Sequence, residues 1–215
     1  NVARLILGTQ DMSSHEYSII GHSRTVWGRH LGTVAAAIAS LCSIVGVVGF
    51  KIAQELGLSE TGQIILWPLT AVFIFPIAHL LFDRWVWKWS YIKPLLKIAD
   101  LNGEWVCKGI TMSSEPHKEW CGTVTISQTW EKIKIHQKTA TSASHSISAA
   151  LICEPRIGAK LMYSYQNEPR IGEPELAPHV GYCELLFNED VERAEGDYFN
   201  NKGRTTFGRM TLSRK

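Results

Sequence analysis

The side chains best suited to chemistry in this chain alternate along stretches near its C-terminal end. Tyr163, Tyr165 and Asn167 occupy every second position of one stretch, and Arg204 shares the parity of the alternating residues that follow it. Because side chains of one parity lie on one face of a strand, we expect these four to converge inside one end of a closed sheet. Buried tyrosines with satisfied hydroxyls and a solvated turn arginine fit the same pattern, so alternation alone leaves both interpretations open.

A third stretch adds an amide to this set. Ile133, Ile135 and Gln137 alternate with basic residues, so Gln137 shares a strand face with two apolar side chains. The net charge of the whole chain is only +2, which excludes the broad basic field that long nucleic acid requires. A small anionic ligand needs no such field, because one or two arginines can hold it.

The sequence contains none of the common catalytic signatures. We find no G-x-S-x-G, no phosphate-binding loop motif and no H-E-x-x-H. The cysteines form no C-x-x-C pair, and their odd number indicates free thiols in a reducing compartment instead of a disulfide framework. We therefore expect a binding protein with no catalytic residue, metal or cofactor. The five cysteines are Cys42, Cys107, Cys121, Cys153 and Cys183.

The elements that must position the candidate side chains begin at Leu101, where short alternating runs separated by turn residues replace the preceding apolar sequence. Regularly spaced short strands predict a closed antiparallel β-barrel over 101–215, with an interior that is filled or holds one small ligand. About eight strands are predicted: Gly103–Thr111, Gly122–Thr129, Lys132–Thr139, Ser144–Cys153, Lys160–Asn167, Val180–Asn188, Glu192–Phe199 and Thr205–Arg214.

Two uncharged apolar stretches, 31–50 and 61–82, precede the strands within the region 31–83. A helix needs roughly 20 apolar residues to cross the hydrocarbon core of a bilayer, so we predict two transmembrane helices. A buried helical hairpin of a soluble protein is the alternative, and the length and absence of charge argue against it. The fold class expected for the chain is therefore membrane α followed by all-β.

Basic residues flank the apolar stretches on the same side of the membrane. Arg24 and Arg29 precede the first stretch, and basic residues recur with tryptophans in the linker 84–100 after the second. Cytoplasmic flanks carry an excess of positive charge, and tryptophans concentrate at the interface. Both termini, including the N-terminal segment 1–30, are therefore expected in the cytoplasm.

Small residues recur at helical spacing in the first apolar stretch. Such a stripe lets two helix backbones approach closely in lipid. It forms either a seam against the second helix of the same chain or a face for assembly between chains, and both interpretations stay open. The stripe consists of Gly32, Ala36, Ala39, Ser43 and Gly46.

From Leu31 to its end the chain resembles one known family. The two predicted membrane helices are followed by LNGEW, ATSASHSIS, LMYSYQNEP and EGDYFNNKGRTTFGRMTL. LNGEW resembles the opening of lipocalin-like barrels, where the tryptophan plugs the barrel floor. The combination is similar to bacterial membrane effectors of CBASS antiphage systems, which join two helices to a minimal β-barrel sensor.

The resemblance implies a function. In that family the barrel binds a cyclic dinucleotide made after phage infection, binding drives self-association through the membrane part, and the inner membrane loses integrity without catalysis. The expected partners are thus a cyclic dinucleotide, the bacterial inner membrane and further copies of the chain. On this interpretation Tyr163 and Tyr165 stack on bases, Arg204 pairs with a phosphate, and Asn167 or Gln137 reads a base edge.

Two other functions are compatible with a membrane-anchored barrel. A carrier of an apolar ligand predicts an interior lined only by apolar groups. A structural module predicts a filled interior with no cavity.

Overall fold

The computed structural model describes residues 14–20, 24–57, 76–154, 158–170, 177–201 and 205–215. The chain separates into two units. One unit is formed by Asn1–Gly21 together with Ile98–Lys215, and the other by His22–Lys97. The first is built of strands and the second of helices.

The helical unit begins with helix α1, Arg24–Glu55. Its part Gly32–Glu55 has a mean hydropathy of 2.2 and, among the described residues, is the one helix long and apolar enough to cross a membrane. Large apolar side chains such as Ile44 and Ile52 are exposed along it. A helix that is apolar on its outer surface suits lipid, which is the environment predicted for residues 31–50.

The predicted second span, 61–82, lies mostly outside the described residues. Residues 76–84 are helical, and a 3₁₀ turn at Val86–Lys88 and a short helix at Lys93–Leu96 follow. The tryptophans of this linker differ in exposure, because Trp87 is buried whereas Trp85 and Trp89 are exposed.

The small-residue stripe of α1 is not uniform. Gly46 is buried within the chain, whereas Gly32 and Ala36 are exposed. The side chain of Ala39 lies outside the described set. Within the stripe, Gly46 therefore packs inside the chain, whereas Gly32, Ala36 and Ser43 are exposed.

Within the described residues, nine strands form a closed hydrogen-bonded ring in the order β1-β4-β3-β2-β9-β8-β7-β6-β5. Consecutive strands from β2 to β9 pair antiparallel, as predicted. Their bounds are β1 His15–Ile20, β2 Gly103–Thr111, β3 Lys118–Gln128, β4 Lys132–Thr139, β5 Ser142–Glu154, β6 Gly158–Pro169, β7 His179–Phe187, β8 Arg193–Asn201 and β9 Thr206–Arg214.

The eight strands predicted over 101–215 correspond to β2 to β9, and the ring contains one further strand that the sequence did not predict. Strand β1 comes from the segment 1–30, for which the sequence predicted no strand, and it pairs antiparallel with β4 and parallel with β5. Direct pairing of β4 with β5 covers His136, Gln137 and Lys138, near the turn that joins the two strands. Farther from that turn β4 and β5 no longer pair with each other, and each pairs with β1 instead. Strand β1 thus covers two strand edges that would otherwise be open, which is unfavourable.

Large side chains plug one end of the ring. Trp105 is fully buried, its ring lies edge-on to Phe187 with centres 5.2 Å apart, and the Arg214 guanidinium lies 4.7 Å from its ring centre. Ile20 pairs with Ile152 near the same end, so the chain leaves β1 there. At the opposite end β2, β4, β6 and β8 finish and β3, β5, β7 and β9 begin.

Candidate functional site

The end of the ring opposite Trp105 contains a cavity of about 550 Å³. This volume lies within the ~300–1,000 Å³ typical of small-molecule sites. The lining is mostly polar or aromatic, and it draws on all eight strands from β2 to β9 and on the turn between β4 and β5. Its hydroxyl, amide and aromatic members include Thr111, Trp120, Gln137, Thr139, Ser142, Ser144, Tyr165, Asn167, His179, Tyr198, Asn200 and Thr206.

The interior below the cavity is uncharged near neutral pH. Burial raises the pKa of the Cys107 thiol and of the Cys183 thiol to about 12. Burial, reinforced by Cys183, also raises the pKa of Tyr163 well above its ordinary value. A ligand that enters the cavity therefore meets neutral groups beneath it.

An aromatic pair forms one wall. The Trp120 ring lies edge-on to Tyr198 with centres 5.7 Å apart, and Trp120 Nε1 donates a hydrogen bond to the Tyr198 hydroxyl at 3.1 Å. The same hydroxyl lies 2.8 Å from Thr111 Oγ1. Gly109 makes room for this wall, because a Cβ at that position would overlap the Trp120 ring.

A second wall is held by a directed chain of hydrogen bonds. The Tyr165 hydroxyl donates to Asn200 Oδ1 at 2.7 Å, and Asn200 Nδ2 donates to Thr206 Oγ1 at 2.6 Å. Gly181 lies opposite Tyr165 on β7, where a Cβ would collide with the phenol and with Asn200. The missing side chain thus leaves the space that the phenol occupies.

The third group of polar residues joins β5 to β6. Asn167 Nδ2 donates to Ser142 Oγ at 3.1 Å and to Ser144 Oγ at 2.9 Å. The Thr139 hydroxyl donates to the Ser142 carbonyl at 3.2 Å and accepts from the Ser142 backbone N–H at 3.1 Å. These side chains form an ordered polar network along the cavity wall.

Three of the five predicted ligand residues line the cavity. Tyr165, Asn167 and Gln137 all do so. Tyr163 lies two residues closer to the plugged end, is only 3% exposed, and packs with its ring centre 5.9 Å from that of Tyr165. It supports Tyr165 from below without lining the cavity.

The fifth predicted residue, Arg204, lies outside the described residues. It belongs to the connection between β8 and β9, and Asn200 and Thr206 on either side of that connection line the cavity. In the described part of the lining, Lys118 is the cation and Glu119 the carboxylate. The role of Arg204 stays a prediction.

Sequence reasoning missed several lining residues. Ser142 and Ser144 alternate in the serine-rich stretch on β5, and Tyr198 and Asn200 alternate on β8, so the parity that found Tyr165 could have found them. Trp120 carried no such signal, because the predicted strand began at Gly122 whereas β3 begins at Lys118.

This arrangement can bind a polar ligand with flat rings. Aromatic faces offer stacking, and neutral amides and hydroxyls offer hydrogen bonds. The polar lining differs from the purely apolar interior that a carrier of an apolar ligand requires. The cavity itself differs from the filled interior expected of a structural module.

Comparison with known proteins assigns both parts of the chain. Residues 96–214 match the family model described as the Cap15 cyclic dinucleotide receptor domain, and residues 27–88 match the model described as Cap15 TM helices. The CD-NTase-associated protein 15 of Yersinia aleksiciae is 36% identical over 205 residues, which span 94% of this chain and 98% of that protein.

Proposed function

Because this chain belongs to the Cap15 family, CBASS-associated effectors with a cyclic dinucleotide receptor domain and transmembrane helices, we propose that the cavity at the open end of its strand ring is the receptor site. The observation that carries this proposal is the 550 Å³ cavity, lined by aromatic, amide and hydroxyl groups, within the part of the chain that matches the receptor domain.

The bases and the phosphates of a cyclic dinucleotide each have a suitable partner in this site. Tyr165 presents an aromatic face to a base, and its hydrogen bond to Asn200 holds the ring in place. Asn167 and Gln137 offer amides to the base edges. Arg204, from its place in the chain beside Thr206, pairs with a phosphate, as the fork of a guanidinium does well.

The output of the site is a change in the membrane part. Ligand binding promotes association of the transmembrane helices between copies of the chain, and the assembly disrupts the bacterial inner membrane without catalysis, so that the infected cell dies or stops growing. The exposed apolar surface of α1 supports this proposal, since such a helix can contact lipid or other helices. We also infer a second span over 61–82 and a lipocalin-like barrel as the class of the strand ring.

Binding and membrane damage can be tested on the full-length chain in lipid nanodiscs and in dye-loaded liposomes. A panel of cyclic dinucleotides that covers all pairings of the four bases and both 3′–5′ and 2′–5′ linkages is titrated by calorimetry. We expect at least one member to bind and the same member to release the dye. Absence of binding by every member contradicts the receptor proposal, and binding without leakage contradicts the membrane step alone.

The orientation of the chain is a separate prediction. Basic flanks place both termini in the cytoplasm, where a second messenger is made. A reporter active only in the cytoplasm should work when fused after Lys215, and one active only in the periplasm should stay silent. The opposite result would place the strand ring outside the cell and exclude a cytosolic ligand.

A further inference from the structure

The side-chain amide of Asn167 is only half satisfied in the cavity wall. Asn167 is 6% exposed, and both protons of Nδ2 are used by Ser142 and Ser144. Its Oδ1 is buried and finds no hydrogen-bond partner among the described residues. A buried acceptor without a donor is costly and uncommon, so this oxygen is a strong candidate for a ligand contact.

The hydrogen bonds around Ser142 are consistent with this orientation of the amide. The Thr139 hydroxyl donates to the Ser142 carbonyl, which leaves the Ser142 hydroxyl proton for Thr139 Oγ1, 3.2 Å away. Ser142 Oγ then accepts from Asn167 Nδ2, and Oδ1 is the unused group. The amide therefore keeps a buried, unpaired acceptor and no free donor in the cavity wall.

We propose that Asn167 is a specificity-determining residue, whose Oδ1 accepts a hydrogen bond from an N–H on the base edge of the bound cyclic dinucleotide, with Ser142 and Ser144 as positioning residues. This inference rests on the proposed receptor function. Phosphate oxygens cannot supply the bond, because they only accept. A base stacked on Tyr165 brings its edge toward Asn167, which lies two residues farther along the same face of β6.

The test uses matched ligand pairs and the full-length chain in nanodiscs. The probe is whichever member of the cyclic dinucleotide panel binds the wild type, together with counterparts in which the N–H groups of one base at a time are replaced by N-methyl. For one of the two bases, we expect methylation to weaken wild-type binding about 10- to 100-fold. In Asn167→Leu the parent ligand should bind more weakly, and methylation at that base should change affinity less than about threefold.

Three further variants separate specificity from folding. Gln166→Leu makes the same kind of change on the exposed outer face of β6. It should keep the wild-type affinity ratio, that is, the affinity for the parent ligand divided by the affinity for its methylated counterpart. Asn167→Asp keeps an acceptor oxygen, so it should still discriminate against the methylated base even if Asn167→Leu proves unstable by thermal melting. Ser144→Ala should reduce the ratio, because it releases one proton of the amide.

The outcomes distinguish this inference from the receptor proposal. If no panel member binds the wild type, both fail. If a member binds but methylation lowers its affinity equally for the wild type and for Asn167→Leu, the base contact at Asn167 is overturned and the receptor site stands. The same conclusion follows if the affinity loss that depends on Asn167 appears on removal of the ribose 2′-hydroxyl instead of on methylation of a base.

Discussion

Tyr165 connects the floor of the cavity to its rim. Its ring packs on the buried Tyr163 below, and its hydroxyl reaches Asn200 across β7. The space for it exists because Gly181 has no side chain. Single residues in this site therefore act through neighbours: one glycine admits the phenol, and one amide orients it.

The first prediction concerns this phenol. Tyr165→Leu should weaken binding of the cyclic dinucleotide by about 1–3 kcal/mol, because a base loses its stacking partner. Tyr165→Phe keeps the ring and should cost less. Calorimetry on the full-length chain measures both. Phe199→Leu removes an exposed ring from the outer face of β8 and should leave affinity unchanged. Equal affinities of Tyr165→Leu and the wild type would exclude stacking at this position.

A second residue-scale prediction concerns pH. The pKa of the His136 imidazole is lowered from its ordinary value, first by partial burial and then by three neighbouring groups, Lys134, His145 and Lys138. The unfolded chain therefore binds a proton at this site more readily than the folded chain does. Stability should fall as the pH drops below about 6.5, the ordinary histidine pKa, because acid favours the state that takes up the proton.

Thermal melting from pH 7 to pH 5 measures this effect. We expect His136→Gln to lose less melting temperature over that interval than the wild type does. His117→Gln, in the exposed connection between β2 and β3, is the control and should follow the wild type. A steeper or unchanged pH dependence in His136→Gln would contradict the assigned role of His136.

At the scale of elements, β1 has the most unusual position in the ring. It lies between β4 and β5, and α1 is the next described element along the chain. His15 Nε2 lies 2.7 Å from the Ser146 hydroxyl, which also accepts the backbone N–H of Ile135 at 2.9 Å. Ser146 on β5 thus bonds to both β1 and β4 at the place where β1 enters between β4 and β5.

The third prediction follows from this junction. His15→Ala should lower the stability of the strand unit by about 1–3 kcal/mol, because the buried Ser146 hydroxyl loses its hydrogen-bond partner on β1. Glu16→Ala changes the next residue, whose side chain is exposed, and should shift stability by less than about 0.5 kcal/mol. Denaturant unfolding followed by tryptophan fluorescence compares the two. Similar effects from both would show that β1 contributes little through this bond.

At the scale of the whole molecule, the chain combines two units with different solvents. The strand unit buries its apolar side chains inside the ring, whereas α1 keeps such side chains on its surface. In lipid, helices associate through close packing and not through the hydrophobic effect, so small exposed residues have the largest influence on assembly. On α1 these include Gly32 and Ala36, because Gly46 already packs within the chain.

The fourth prediction tests assembly at that surface. Ala36→Leu should keep membrane insertion and ligand binding, since leucine is more apolar and the strand unit is unchanged. Ligand-induced crosslinking between chains and killing of the host cell should both fall, because the larger side chain separates the helix backbones. Ala37→Leu makes the same change at the neighbouring exposed position, off the stripe, and should behave like the wild type. Normal crosslinking and killing by Ala36→Leu would move the assembly surface elsewhere.

The sequence by itself determined the apolar helix, strands β2 to β9 and the inward faces of several strands. These features depend on local periodicity, since a period of two selects a strand face and a long uncharged run suits a bilayer. Alternation placed Tyr165, Asn167 and Gln137 on inward strand faces, and the structure shows that these faces line one cavity. The same periodicity could not separate Tyr163, which has the same parity, from the residues that line the cavity.

Only the tertiary structure decided how far along the ring each inward residue lies and what it meets there. The depth of a side chain depends on strand register and on which end Trp105 plugs, and both are long-range properties. The place of β1 is also long-range, because it joins His15 to strands more than a hundred residues later in the chain. The unused acceptor on Asn167 follows from contacts among three strands, β4, β5 and β6, and no single stretch of sequence contains all of its partners.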